Sequence, residues 1–90
     1  TKEQCYNIVK LMLTKIENRL KNQNITIKFN KSVINHIVEV GYSDRYGARN
    51  LKREIQDTVE DFLADAILSG ELKENDDKKL SFTNGSLTFK

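Results

Sequence analysis

A short basic segment, GYSDRYGARNLKR at residues 41 to 53, holds the residue types of this chain that best suit anion binding. It contains two tyrosines, two glycines, four cationic residues and one acid. A periodic helix pattern begins inside it and places Arg49 at a helix start. The positive end of a helix dipole repels a cation there unless both face a shared anion. Free backbone N–H groups and a guanidinium fork favour the same phosphate.

Three interpretations of this segment compete. The first is a helix-turn-helix that sets its basic residues on DNA phosphates: Arg45, Arg49, Lys52 and Arg53. Its spacing is wrong, because about seven residues separate the two predicted helices where three or four are usual. The helix also turns acidic after Arg53, where a duplex would repel it. The other two are a solvated helix start in a protein-interaction module and a phosphate held by Arg49, and the residues alone leave them close to even.

The sequence lacks the motifs that would let it run a reaction unaided. It has no GxxxxGK[ST] phosphate loop and no CxxC, HExxH or GxSxG. His36 has no second ligand at metal spacing, so we expect no metal site and a surface or half-buried histidine. The single cysteine, Cys5, excludes an internal disulfide and indicates a packing or surface role. We therefore expect no enzyme activity from the chain alone.

Length and composition indicate one ordinary globular domain. The 90 residues are 38% hydrophobic and 31% charged, and the net charge of +2 points to no particular partner. No apolar run approaches the roughly 20 residues that cross a bilayer, and no signal-peptide pattern is present. Because the chain begins without Met, we expect residues 1–90 to be one domain within a larger protein.

Hydrophobic periodicity predicts three helices. The first covers residues 1–22, the second runs to Val40 and is stopped by Gly41, and the third runs from about Ala48 to Ser69 before Gly70. One apolar stripe follows the third helix for five turns: Leu51, Ile55, Val59, Phe62, Leu63, Ala66 and Ile67. A like-charged stripe of Asp57, Asp61 and Asp65 is expected to be a solvated face.

Alternation predicts three strands. Residues 25–29 form a short half-buried strand, and GELKENDDKK is predicted to be a polar loop. The closing LSFTNGSLTFK contains Asn84-Gly85, the preferred two-residue hairpin turn. Pairing outward from this turn predicts four opposed pairs: Thr83 with Ser86, Phe82 with Leu87, Ser81 with Thr88 and Leu80 with Phe89. The predicted fold is α+β, with three main helices packed on a small three-stranded sheet that includes a C-terminal β-hairpin.

The run GYSDRYGARNLKREIQDTVEDFLADAILSGEL resembles the C-terminal small subdomain of the second ATPase module of the Clp unfoldases (ClpB, ClpC and ClpA). The pattern of that family is GYDPxYGARPLKRxIQ, followed by an acidic and apolar helix that ends in LAxxILxGE. The leading IVxxxLxxxxxRL pattern of the family is matched from Ile8 to Leu20. The resemblance covers nearly the whole chain.

The resemblance implies a nucleotide role for Gly47, Ala48 and Arg49, which match the GAR triplet of the family. In the family this arginine, called sensor 2, reaches the γ-phosphate of ATP held by the large subdomain of the same subunit. ATP is thus the implied cofactor, with Mg²⁺ held by that large subdomain. The implied partners are the large subdomain, neighbouring subunits of a homohexamer, a peptidase ring and unfolded protein substrates, but neither nucleic acid nor membrane.

Two departures from the family pattern fall in the same segment. The proline after Asp is Arg45 here, and the proline after the GAR triplet is Asn50. Without the rigid proline at position 45, we expect a somewhat more flexible loop. At position 50, proline would suit the first turn of a helix, but Asn is also acceptable there. The implied function is the lid of an ATP-dependent unfoldase in the bacterial cytoplasm or an organelle of bacterial descent. The alternative is an interaction or oligomerisation module with no nucleotide role.

Overall fold

A computed structural model describes residues 2–42 and 50–89 of the chain. The elements follow in the order α1 (Lys2–Lys21), β1 (Thr26–Phe29), α2 (Lys31–Gly41), α3 (Leu51–Ile55), a π-helical turn (Gln56–Glu60), α4 (Asp61–Ser69), β2 (Asp77–Thr83) and β3 (Ser86–Phe89). The predicted α+β class is confirmed, with three helical stretches and a three-stranded sheet.

The amphipathic pattern of α1 is realised as predicted. Its buried face consists of Cys5, Val9, Leu13, Ile16 and Leu20. Cys5 is only 3% exposed, so this cysteine has the packing role. The helix is followed by Asn22-Gln23-Asn24. Asn24 adopts φ 62°, a left-handed conformation that asparagine tolerates better than most residues.

The sheet joins a parallel and an antiparallel pair. β1 pairs with β2 in parallel, with Thr26 opposite Asp77, and β2 pairs with β3 in the hairpin. All four predicted hairpin pairs are present, from Thr83 opposite Ser86 to Leu80 opposite Phe89. Asn84 and Gly85 have φ of 52° and 82°, the two positive values that a type I′ turn requires. Turn chemistry and alternation therefore select one register.

The polar-loop prediction for GELKENDDKK was wrong at both ends. β2 begins at Asp77, because its backbone pairs with β1 whatever its side chains are. Leu72 is only 1% exposed, and its N–H donates to the carbonyl oxygen of Ala66 at 3.0 Å. This leucine closes the core below the end of α4.

Gly41 does not stop α2 in the predicted way. It is the last residue of the helix, and the glycines with positive φ in the described part of the chain are Gly70 and Gly85. The predicted role as a left-handed terminator therefore fails for Gly41 and is confirmed for Gly70, which follows α4 with φ 83°. At the other end of α2, Asn30 Oδ1 accepts a hydrogen bond from Ser32 N, as expected of a helix cap.

The predicted third helix continues without a break from Leu51 to Ser69, but it is not α-helical throughout. The π turn at Gln56–Glu60 interrupts it. Five residues of the predicted stripe are buried: Leu51, Ile55, Val59, Leu63 and Ala66. Phe62 is half-buried against Phe89, whereas Ile67 is 39% exposed because it lies to one side of the buried stripe. The predicted start at Ala48 lies outside the described residues.

Candidate functional site

The predicted site is a segment held between α2 and α3. Gly47, Ala48 and Arg49 lie outside the described residues, as do Arg45 and Tyr46. The structure describes the two flanks of the segment, Tyr42 after α2 and Asn50 before α3. Tyr42 is half-buried and packs against the hydrophobic core. The geometry of these flanks determines where residues 43–49 must begin and end.

The two flanks are brought together by a close contact between helices. A Cβ atom added to Gly41 would lie 2.9 Å from Leu51 Cδ2 and 3.4 Å from Leu51 Cα. The first of these distances is below any ordinary carbon–carbon contact, so a methyl group at position 41 would force the buried Leu51 side chain to shift. The C-terminal end of α2 and the N-terminal end of α3 therefore touch. Gly41, which the sequence analysis assigned to helix termination, allows this approach because it has no side chain.

The side chain of Asn50 does not cap the first turn of α3. This residue already has near-helical dihedral angles, φ −90° and ψ −2°, and its carbonyl accepts from Glu54 N at 2.9 Å. Its side chain makes no capping hydrogen bond. Helix-start N–H groups that no side chain satisfies are the donors that bind anions at helix N-termini. The residue that directly precedes this turn is Arg49.

The cations that follow Asn50 are exposed. Within the described part of the chain, Arg53 makes a loose pair with Asp57, with Nε and Oδ2 3.8 Å apart and both side chains largely in solvent. Lys52 borders a pocket of about 290 Å³ between α1 and the long helix, together with Lys15, Arg19 and Glu60. Arg19 and Glu60 face each other across it at 3.4 Å. Both Lys52 and Arg53 are therefore exposed to solvent in this domain.

His36 has a packing partner that the sequence did not reveal. Its ring stacks on Phe82 of the hairpin, with the centroids 3.7 Å apart and the planes 13° from parallel. The contact joins residues 46 positions apart, so no local pattern points to it. No group of three metal-ligating side chains occurs in ranges 2–42 and 50–89. Within the same ranges, no helix is long and apolar enough to cross a membrane.

Comparison with known proteins identifies the family. Residues 1–80 match the family model described as the C-terminal, D2-small domain of ClpB protein. The chain therefore belongs to this family of ATPase small domains. It is 40% identical over 89 residues to the chaperone protein ClpB of Malacoplasma penetrans (strain HF-2), which covers 99% of the chain and 13% of that protein.

Other relatives carry two kinds of name. The chaperone protein ClpB 1 of Synechococcus elongatus is 36% identical over 99% of the chain and 10% of its own length. The ATP-dependent Clp protease ATP-binding subunit ClpC of Staphylococcus aureus (strain USA300) is 42% identical over the whole chain and 11% of its own length. The chain thus spans about a tenth of the length of these relatives.

Proposed function

We propose that this domain is the lid of an ATP-dependent protein unfoldase or disaggregase and that it contributes Arg49 to the nucleotide site. Gly47 and Ala48 complete the contact by setting the backbone beside the phosphate. Membership of the ClpB small-domain family supports the proposal. The likeness of Gly-Ala-Arg to the GAR triplet of the Clp pattern supports it as well. The observation that carries it furthest is that, among the described residues, the Asn50 side chain directly after Arg49 leaves the first turn of α3 uncapped.

The residues present suit an ATP phosphate. Backbone donors at the start of α3 and the guanidinium of Arg49 provide hydrogen bonds and positive charge to the same oxygens. The Gly41–Leu51 contact holds the start of α3, which follows Arg49 by two residues in the sequence. Mg²⁺ and the remaining phosphate ligands belong to the large ATPase subdomain of the same chain in this proposal. ATP itself supplies the transferable phosphoryl group, and this domain binds and orients it.

Two exposed leucines are available for contact with partners in the same assembly. Leu11 and Leu68 are 61% and 86% exposed, although single exposed leucines also occur on domains that work alone. We propose that the large subdomain and neighbouring subunits of a homohexamer cover such residues, in the cytoplasm of a bacterium or an organelle of bacterial descent. A peptidase ring and unfolded proteins are the further partners that the ClpC and ClpB relationships suggest.

The same exposed leucines also favour the alternative function, a protein-interaction or oligomerisation module without a nucleotide role. The two proposed functions predict different effects of an Arg49 substitution on the binding of ATP and of ADP. In the full-length protein, Arg49→Ala should weaken binding of a non-hydrolysable ATP analogue by about tenfold or more and leave ADP binding unchanged, because only the former has a γ-phosphate. Arg53→Ala is the matched control, since Arg53 is a nearby arginine whose side chain is 83% exposed. Equal effects on both nucleotides, or none, would favour the alternative.

A further inference from the structure

The pocket between α1 and the long helix carries more positive than negative charge. Three cationic side chains line it, Lys15 and Arg19 from α1 and Lys52 from α3. Among the described residues that line it, Glu60 is the one acid. The three cations repel one another around a space of about 290 Å³, and Glu60 neutralises only part of their charge. The pocket therefore favours a negatively charged occupant.

The cations of the pocket are available to bind such an occupant. Lys15 and Lys52 have no salt-bridge partner within residues 2–42 and 50–89. Arg19 pairs with Glu60, but Nη1 and Oε1 lie 3.4 Å apart, which is longer than the about 2.7–2.9 Å of a tight charge-assisted hydrogen bond. The Arg19 side chain also stays 65% exposed. Because a guanidinium has several N–H donors, Arg19 can bind a second carboxylate besides Glu60.

The floor of the pocket is apolar. Met12 is half-buried there, and Ile16 and Ile55 are core residues that are 6% and 4% exposed. Opposite charges attract more strongly beside such a low-dielectric surface than in bulk water. An aliphatic stem can pack on the same floor while its charged end meets the cations. The pocket therefore suits an aspartate or glutamate side chain of a protein.

The π turn forms one wall of the pocket. Its first and last residues, Gln56 and Glu60, both line the space. π turns are rare, and they frequently occur at functional sites. The side-chain amide of Gln56 adds a neutral hydrogen-bond donor to the cations that line the pocket. The irregular part of the long helix and the unpaired lysines therefore lie at the same site.

The positive charge lies at the end of the groove where α3 begins. Toward α4 the groove continues as a depression of about 340 Å³, which Asp61 lines and which no lysine of the described residues lines. Lys52 belongs to the first turn of α3 and follows Arg49 by three residues. Three residues of chain span at most about 11 Å. A partner that reaches position 49 therefore also comes close to the positive end of the groove.

We infer that this pocket binds an acidic side chain of the large ATPase subdomain of the same chain. The inference rests on the proposed function, in which that subdomain holds the nucleotide beside Arg49. Lys15, Arg19 and Lys52 contact the carboxylate. Leu11 is 61% exposed and lies one turn before Lys15 on the same face of α1, so it packs on apolar groups beside that carboxylate. The contact joins the two subdomains through side chains that do not bind nucleotide.

Zero-length crosslinking of the full-length protein tests this contact. A carbodiimide joins an amine to a carboxylate where the two groups touch, and mass spectrometry identifies the joined residues. Lys15 and Lys52 should crosslink to the large subdomain about fivefold more than Lys10 does, because groups that are held together react faster. Lys10 is the matched control, since it is exposed on α1 about 140° around the helix from Lys15. Mixing isotopically labelled and unlabelled chains before the reaction separates crosslinks within a chain from crosslinks between subunits.

Each outcome of the crosslinking supports or overturns the inference. Crosslinks from Lys15 and Lys52 to one acidic segment of the large subdomain, within single chains, would support it. Crosslinks between labelled and unlabelled chains would place a neighbouring subunit in the pocket and overturn it. Yields at Lys15 and Lys52 no higher than at Lys10 would show that the lysines are solvated, and would overturn it as well.

A charge swap and the Arg49 variant complete the test. Lys15→Glu should remove the crosslink at position 15, and replacing the joined carboxylate with lysine in that variant should restore it with the charges exchanged. A swapped pair that does not crosslink would show that the two positions are not in contact. The crosslink of Lys15 is measured without nucleotide, so it should persist in Arg49→Ala. Crosslinks with unaltered nucleotide binding in Arg49→Ala would refute the role of Arg49 alone, whereas weakened binding of the ATP analogue without crosslinks would refute the pocket contact alone.

Discussion

Gly41 and Leu51 are in contact across the two ends of the segment that contains Arg49. A methyl group on Gly41 would come within 2.9 Å of Leu51 Cδ2, and both residues are buried. The contact joins the last residue of α2 to the first residue of α3. It therefore sets the distance between the two ends of the segment. Core packing at Gly41 and Leu51 thus holds the described flanks of the predicted site.

Adding a methyl group at this contact should destabilise the domain. We expect Gly41→Ala to lower the free energy of unfolding by about 1–3 kcal/mol, the usual range for overpacking a core, as measured by urea denaturation. Leu51→Val shortens the opposing side chain. The double variant Gly41→Ala with Leu51→Val should be more stable than the sum of the two single effects predicts, by about 0.5 kcal/mol or more. Strict additivity would mean that the clash with Leu51 is not the cause.

Leu72 and Leu68 should respond in opposite ways to the same substitution. Leu72 is 1% exposed, so Leu72→Ala should cost about 2–5 kcal/mol of unfolding free energy by loss of burial and cavity formation. Leu68 is 86% exposed, and Leu68→Ala should change stability by no more than about 0.5 kcal/mol. Equal losses in urea denaturation would contradict the position of Leu72 in the core.

The chain by itself should not hydrolyse ATP. Its sequence contains no phosphate loop, and the proposal assigns Mg²⁺ to the large subdomain. Steady-state phosphate release by purified protein should equal the buffer background, and Arg49→Ala should leave it there. Turnover above background that disappears in Arg49→Ala would show that the domain holds a complete catalytic site.

Local signals in the sequence predicted part of this fold in detail. The hairpin register followed from Asn84-Gly85 and the alternation beside it, because turn and strands are adjacent in the chain. The first half of β2 was missed because Asp77 pairs with Thr26, some fifty residues away. Leu72 was missed as a lone apolar residue in a polar run.

The long helix and the site show a different limit. The four-residue spacing of Leu51, Ile55 and Val59 was visible in the sequence. Each such step rotates the side chain slightly around the helix axis, so a short run of these steps still looks like one regular helical stripe. Gly41 was assigned to helix termination, whereas the close approach of Leu51 is tertiary and leaves no local signature. The assignment of Arg49 depends on family resemblance and stays a prediction, since residues 43–49 lie outside the described part of the chain.

ATP hydrolysis by Arg49→Ala in the full-length protein tests the central claim most directly. A guanidinium that contacts the γ-phosphate also stabilises the charge that develops during phosphoryl transfer, and a lysine does not reproduce its fork. We predict that Arg49→Ala lowers steady-state ATP turnover by about tenfold or more, that Arg49→Lys recovers little of it, and that circular dichroism of the same preparations is unchanged. Near-normal turnover by a well-folded Arg49→Ala variant would contradict the account and leave Arg49 as a solvated surface residue.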